Sequence, residues 1–175
     1  MNPYSDPKYI TSGAELKNWL INCKKCSKLT MMGTLLMPVD SLKSITLQRK
    51  IDQDKYYIIL NIHKSYPGHW LALMCYLKSR KCVIYDAANE FKDWPEVVHL
   101  IRQFCQKNQL KPINFAVQCQ RKNSYICGQL CLTMCAKMHN CNLREIFDLR
   151  TLLQKHSIPS VEKKMLAYAT DHFSK

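Results

Sequence analysis

Apolar positions follow two patterns along this chain: helix-like spacing towards both ends and near-continuous β-rich runs in the middle. Leu16, Trp19, Leu20 and Cys23 share one helical face behind Ser12-Gly13-Ala14-Glu15, where serine and glutamate have capping-box spacing. A first helix is therefore expected over 13–23. Met32-Gly33-Thr34 and Met37-Pro38 break the pattern, and Asp40 is placed to cap a short helix through Leu42, Ile45 and Leu47. Tyr56-Tyr57-Ile58-Ile59-Leu60-Asn61-Ile62 reads as a buried strand. A polar turn, His63-Lys64-Ser65-Tyr66-Pro67-Gly68, leads into His69-Trp70-Leu71-Ala72-Leu73-Met74-Cys75-Tyr76. Lys78-Ser79-Arg80-Lys81 then turns the chain into Cys82-Val83-Ile84-Tyr85-Asp86. These three runs predict neighbouring strands, antiparallel through the middle of one sheet.

Asp93-Trp94-Pro95-Glu96 has the residues of a helix start, with Asp93 as cap, and Val97, Val98, Ile101, Phe104 and Cys105 form the stripe that follows. A strand is expected near 113–118, then a loop carrying Gln120 to Ile126, then a helix over 127–138. Residues 143–173 read as two helices separated at Ser157-Ile158-Pro159. The expected class is α+β: a mixed, mainly antiparallel sheet of about five strands flanked by helices.

At 175 residues the chain is long enough for one buried core, and four glycines and seven prolines provide no flexible linker to divide it. We read 1–175 as a single domain, with a core of 14–138 and a helical segment over 142–175. The polar N-terminal residues lack the apolar stretch of a secretory signal, and no run approaches the length of a membrane span. The expectation is a non-secreted monomer that keeps its ten cysteines largely reduced. Cys105, Cys131 and Cys135 then act as small buried hydrophobes. Cys23-Lys24-Lys25-Cys26 is the one CxxC. A zinc site would have to add His139 and Cys141, and a lysine-flanked thiol pair is the plainer reading. Any of these thiols remains available for a regulatory disulfide with a partner.

The formal net charge of +13 favours polyanions through counterion release without implying sequence reading. The basic residues are spread, and no base-reading motif accompanies them. Nucleic-acid contact, if made, is sequence-independent; the alternative is a solvated basic surface.

The chemistry-bearing residues occur in the order His69, Asp86, Gln120, Cys127. Cys127 opens a helix, where unpaired amides and the positive end of the dipole favour a thiolate. His69 at the start of one strand and Asp86 at the end of the next are brought together if those strands pair about Ser79-Arg80. The imidazole can then take the thiol proton while the carboxylate orients the ring. Gln120, or Gln118 two residues earlier, can join the Cys127 backbone amide in holding an oxyanion. Gly128 removes bulk beside the nucleophile, and Gly68 and Trp70 stand where a substrate groove would run. Singly, each residue has a structural explanation; together, in this order, they form the inventory of a thiol hydrolase.

Gly68-His69-Trp70, the seventeen-residue step to Asp86, and Gln120-Arg121-Lys122-Asn123-Ser124-Tyr125-Ile126-Cys127-Gly128 resemble the adenovirus-type cysteine proteases (adenain). The wider group includes SUMO-specific proteases and capsid-maturation proteases of other DNA viruses and virophages. Papain-like enzymes run cysteine before histidine, so the order here favours the adenain group, whose fold is papain-related in permuted order. Further similarity lies in Met32-Gly33-Thr34 and between Asn61 and Trp70, and the resemblance spans roughly 14–138. It implies Cys127 as nucleophile, His69 as base, Asp86 as orienting acid and Gln120 as oxyanion donor. Adenain has glutamate where Asp86 stands; aspartate is usual in the SUMO-protease relatives. The resemblance also implies cleavage of virion precursors at glycine-containing sites, with no cofactor needed for the chemistry. It sets a precedent for activation by DNA and by a cysteine-bearing viral peptide, in the virion and the cytoplasm or nucleus of an infected cell. An isopeptidase acting on SUMO- or ubiquitin-like proteins is the alternative on the same fold. A non-catalytic zinc- or nucleic-acid-binding module is the reading from another class.

Overall fold

The computed structural model describes residues 12–22, 34–49, 54–62, 69–122, 124–139 and 141–173. Cys23, Cys26, Met32, Gly33, the 63–68 turn with Gly68, and Asn123 lie outside the described residues.

Among the described residues, five strands form one sheet in sequence order: β1 (Thr34–Pro38), β2 (Lys55–Asn61), β3 (Trp70–Tyr76), β4 (Lys81–Tyr85) and β5 (Lys111–Asn114). The two inner pairings are antiparallel, and the outer ones, β1 with β2 and β4 with β5, are parallel. The helices are α1 (Gly13–Asn22), α2 (Pro95–Lys107), α3 (Cys127–His139), α4 (Leu143–Gln154) and α5 (Ile158–Phe173). None of the described helices is long and apolar enough to cross a membrane.

The central runs are continuously apolar because both faces of the sheet are covered. Tyr57, Ile59, Trp70, Ala72, Met74, Val83 and Tyr85 point to the side of α3, joined there by α1, α4 and α5 through Leu16, Ile146 and Val161. The alternate residues, among them Ile58, Leu60, Leu71, Leu73 and Ile84, meet Val97, Ile101, Phe104 and Cys105 of α2. Burying a leucine-sized side chain contributes ~1.5–3 kcal/mol, so two such layers fix the register of the middle strands. Cys105, Cys131 and Cys135 are free and buried, and Cys75 and Cys82, opposite each other on β3 and β4, are free with sulfurs 3.8 Å apart.

Three element boundaries differ from expectation. Met37-Pro38 ends β1 instead of merely breaking a pattern: β1 is an edge strand, where proline sacrifices no inner ladder bond. The Asp40 segment is a 3-10 helix over Val39–Ser44. The β5 strand stops at Asn114, whose Oδ1 accepts the Ala116 N–H at 2.9 Å while Ala116 takes φ 55°, turning the chain out of the sheet. The β3–β4 turn is the one expected, with Arg80 at φ 52°.

At α2, Trp94 occupies the N-cap without a side-chain cap bond, and Asp93, the expected cap, ends a short 3-10 turn over Phe91–Asp93. Asp86 accepts the N–H groups of Glu90 and Phe91, at the start of the 3-10 turn that precedes α2. Asp86 thereby ties that turn to the site.

On α4, Asn142 and Glu145 make a reciprocal capping box. Asn142→Ala is expected to lower unfolding free energy by about 1 kcal/mol. Urea denaturation checks this, and an unchanged midpoint would remove the cap from the account of how α4 is held.

Candidate active site

The β3–β4 register, continued past the paired residues, sets Asp86 opposite Leu71, two residues from His69 and on the same side of the sheet. His69 Nε2 and Asp86 Oδ1 are 2.7 Å apart. The Asp86 side chain is 1% exposed and that of His69 14%. Asp86 also accepts N–H groups of Ala88 at 3.0 Å, Glu90 at 2.7 Å and Phe91 at 2.8 Å. Donors surround the carboxylate on every side. Burial pushes the Asp86 pKa up, but the imidazole bond and the backbone N–H groups outweigh it and hold the acid below its usual range.

The Cys127 side chain lies beside the His69 ring and acts on its charge. With Nε2 on the carboxylate, Nδ1 is the nitrogen left for the thiol. Burial alone would favour the neutral ring, yet the bond to Asp86 and the neighbouring Cys127 prevail and raise its pKa to about 10.

Cys127 is the first residue of α3, with its side chain in the core layer shared by Trp70 and Leu130. First-turn amides of a helix have no partner within it and point outward from its N-terminus, where they favour an anion. Gly128 follows the cysteine as expected.

Gln120 is buried in the loop before α3. The N–H groups of Cys119 and Gln120 both donate to Ala87 O, at 2.8 and 3.0 Å, which ties this loop to the residue after the acid. The Gln120 Nε2 donates to Ser124 O at 2.6 Å, three residues before Cys127. That amide carries a second hydrogen. The Gln118 side chain donates to Gln120 O at 2.9 Å, bracing the same loop.

Trp70, expected along a groove, is 5% exposed and packs in the core layer of α3. The indole standing against the imidazole is Trp94, edge-on at 5.5 Å between centroids and 69° between planes. Trp94, Pro95, Val97, Glu96 and Ile62 line a cavity of about 460 Å³ beside it. Sequence reasoning treated Trp94 only as part of a helix start, and no spacing rule links it to His69. Among the described residues no group of three or more His, Cys, Asp and Glu side chains could hold a metal.

With this geometry in view, the solved structures give a fold. The ASFV pS273R protease superposes with a TM-score of 0.57 at 12% identity, covering 99% of this chain and 71% of that one. A de-sumoylating protease does so with a TM-score of 0.51 at 16% identity, covering 89% of this chain and 70% of that one. This chain shares its fold with these two proteases. At the level of sequence, neither a protein-family model nor a curated protein matches. The arrangement of the site therefore has to carry the functional argument.

Two outcomes are expected from the His69–Asp86 pair. Because the His69 pKa rises from 6.5 to about 10 on folding, its stabilisation is complete below pH 6.5 and lost as pH rises through 10. The Asp86 pKa falls on folding from 3.8, so its share is present above that value and lost as pH drops through the lower folded one. The stability gap between wild type and His69→Ala, measured by urea denaturation, should be widest near pH 5–6 and close towards pH 10. A pH-independent gap would contradict the pair. Asp86→Asn turns an amide N–H towards backbone donors and should cost roughly 1–3 kcal/mol; wild-type stability in that variant would contradict the cage.

Proposed function

We propose that this protein is a cysteine endopeptidase of viral type, acting through Cys127, His69 and Asp86 with Gln120 as oxyanion donor. The observation that carries the reading is the buried imidazole held between a caged carboxylate and a thiol at a helix N-terminus.

The chemistry follows from the atoms. His69 takes the Sγ proton, and the thiolate attacks the substrate carbonyl carbon. Negative charge moves to the carbonyl oxygen, where the Cys127 N–H and the second N–H of Gln120 Nε2 donate to it. The imidazolium gives its proton to the departing amine as the C–N bond breaks, leaving a thioester. The ring, again neutral, takes a proton from water, whose oxygen attacks the thioester. Collapse of the second tetrahedral species expels the thiolate and the acid product. Asp86 keeps the ring oriented throughout and stabilises its charge.

The substrates we propose are capsid or core precursor proteins cleaved at glycine-containing sites, in the virion and the infected cell. The net charge of +13 supports DNA as a sequence-independent activator, with a viral peptide as a second one. A monomer is sufficient for this chemistry. The likeness to a de-sumoylating protease favours one second reading, an isopeptidase for SUMO- or ubiquitin-like proteins.

Incubation with candidate virion precursors and with SUMO and ubiquitin fusions separates the readings. Precursor cleavage lost in Cys127→Ala and in His69→Ala is the expected result; faster cleavage of the fusions would move the assignment to the second reading. Turnover surviving in Cys127→Ala would sink both. DNA stimulation, if it rests on charge, should disappear at high salt, and salt-insensitive stimulation would contradict that role.

A further inference from the structure

The C-terminal helix carries a buried carboxylate that the chemistry above does not use. Glu162 lies on α5 with its side chain 1% exposed. Its Oε2 accepts the backbone N–H of Arg121 at 2.7 Å and the Ser124 hydroxyl at 2.8 Å, and its Oε1 accepts Arg121 Nε at 2.8 Å. All three bonds end on one turn, closed by Ser124 N–H donating to Arg121 O at 3.2 Å. That turn presents Ser124 O to the Gln120 side-chain amide at 2.6 Å.

We propose that Glu162 is a positioning residue for the oxyanion donor: through Arg121 and Ser124 it fixes the carbonyl that aims the Gln120 amide. The proposal rests on the reading of Cys127 as nucleophile and Gln120 as donor.

The wiring separates this task from simple helix docking. Val161, Met165 and Leu166 already anchor α5 in the core layer of α3. Glu162 adds nothing apolar to that contact. Its acceptors are spent on a backbone N–H, a hydroxyl and a guanidinium of a loop 38 to 41 residues away. One anion therefore holds a turn that bears Arg121 and Lys122, both exposed and otherwise drawn to solvent. Gln120 has its Nε2 committed to Ser124 O and its buried Oε1 without a partner among the described residues. The direction of its remaining N–H thus depends on where Ser124 O sits.

Two rates measured on the same variants test this. Peptide turnover needs the oxyanion donor, whereas alkylation of Cys127 by iodoacetamide displaces iodide from a saturated carbon and forms no oxyanion. Glu162→Ala should lower kcat by about 10-fold or more, with KM and the alkylation rate of Cys127 changed by no more than about twofold. Glu162→Gln keeps a carbonyl acceptor for Arg121 N–H and Ser124, so it should retain more kcat than Glu162→Ala. Combining Glu162→Ala with Gln120→Ala should cost little beyond Gln120→Ala alone, since both act through one amide.

Parallel loss of turnover and alkylation in Glu162→Ala and Glu162→Gln would show a merely structural role and overturn the proposal. Unchanged kcat, or losses that multiply in the double variant, would overturn it as well. If Glu162→Ala does not fold, Glu162→Gln and Arg121→Ala carry the same comparison. Turnover that survives Cys127→Ala, or its absence from wild type on every substrate, defeats the thiol-hydrolase reading itself and this proposal with it.

Discussion

The hydrogen bond between His69 and Asp86 is the contact on which the rest of the site depends. A carboxylate this deeply buried needs several partners, because desolvation penalises the charge by several kcal/mol. Asp86 has four: one imidazole and three backbone N–H groups. The backbone donors belong to the segment that leads into α2, so the acid that orients the imidazole also holds the 3-10 turn before that helix. Trp94 closes the other side of the ring, edge-on. The imidazole is thereby held between the two core layers, facing the thiol on one side and the indole on the other.

This arrangement follows from the sheet. Two antiparallel neighbours joined by the turn around Arg80 bring positions seventeen residues apart to the same end. The α3 helix packs across that sheet and delivers its first residue, Cys127, to the same end. The loop before it is pinned to Ala87 by two N–H groups, so acid, glutamine and cysteine share one backbone framework. Rigid strands and a helix terminus set the distances, and short hydrogen-bonded turns set the directions.

The middle strands were legible because their runs are apolar on both faces, and the hairpin then brought His69 to Asp86 without further information. The first strand was not, because Pro38 reads as a breaker and only its edge position makes it acceptable. Asp93 has the spacing of a cap for α2, but the chain first forms a 3-10 turn over Phe91–Asp93, which leaves Trp94 at the N-cap. Trp94 escaped because its contact with His69 joins residues with no periodic relation. Glu162 did leave a trace, a carboxylate among Val161, Met165 and Leu166 on an otherwise apolar stripe. Such a residue on a buried face signals a partner, although the sequence does not say which one.

The central claim is that Cys127, among ten cysteines, is the one activated by His69. Limited reaction with iodoacetamide at pH 6, with each cysteine quantified by mass spectrometry, tests it most directly. The account predicts that Cys127, though nearly buried, is modified ahead of the partly exposed Cys141, and that this preference is lost in His69→Ala. Modification of Cys127 no faster than Cys141, or a preference unchanged without the imidazole, would contradict it.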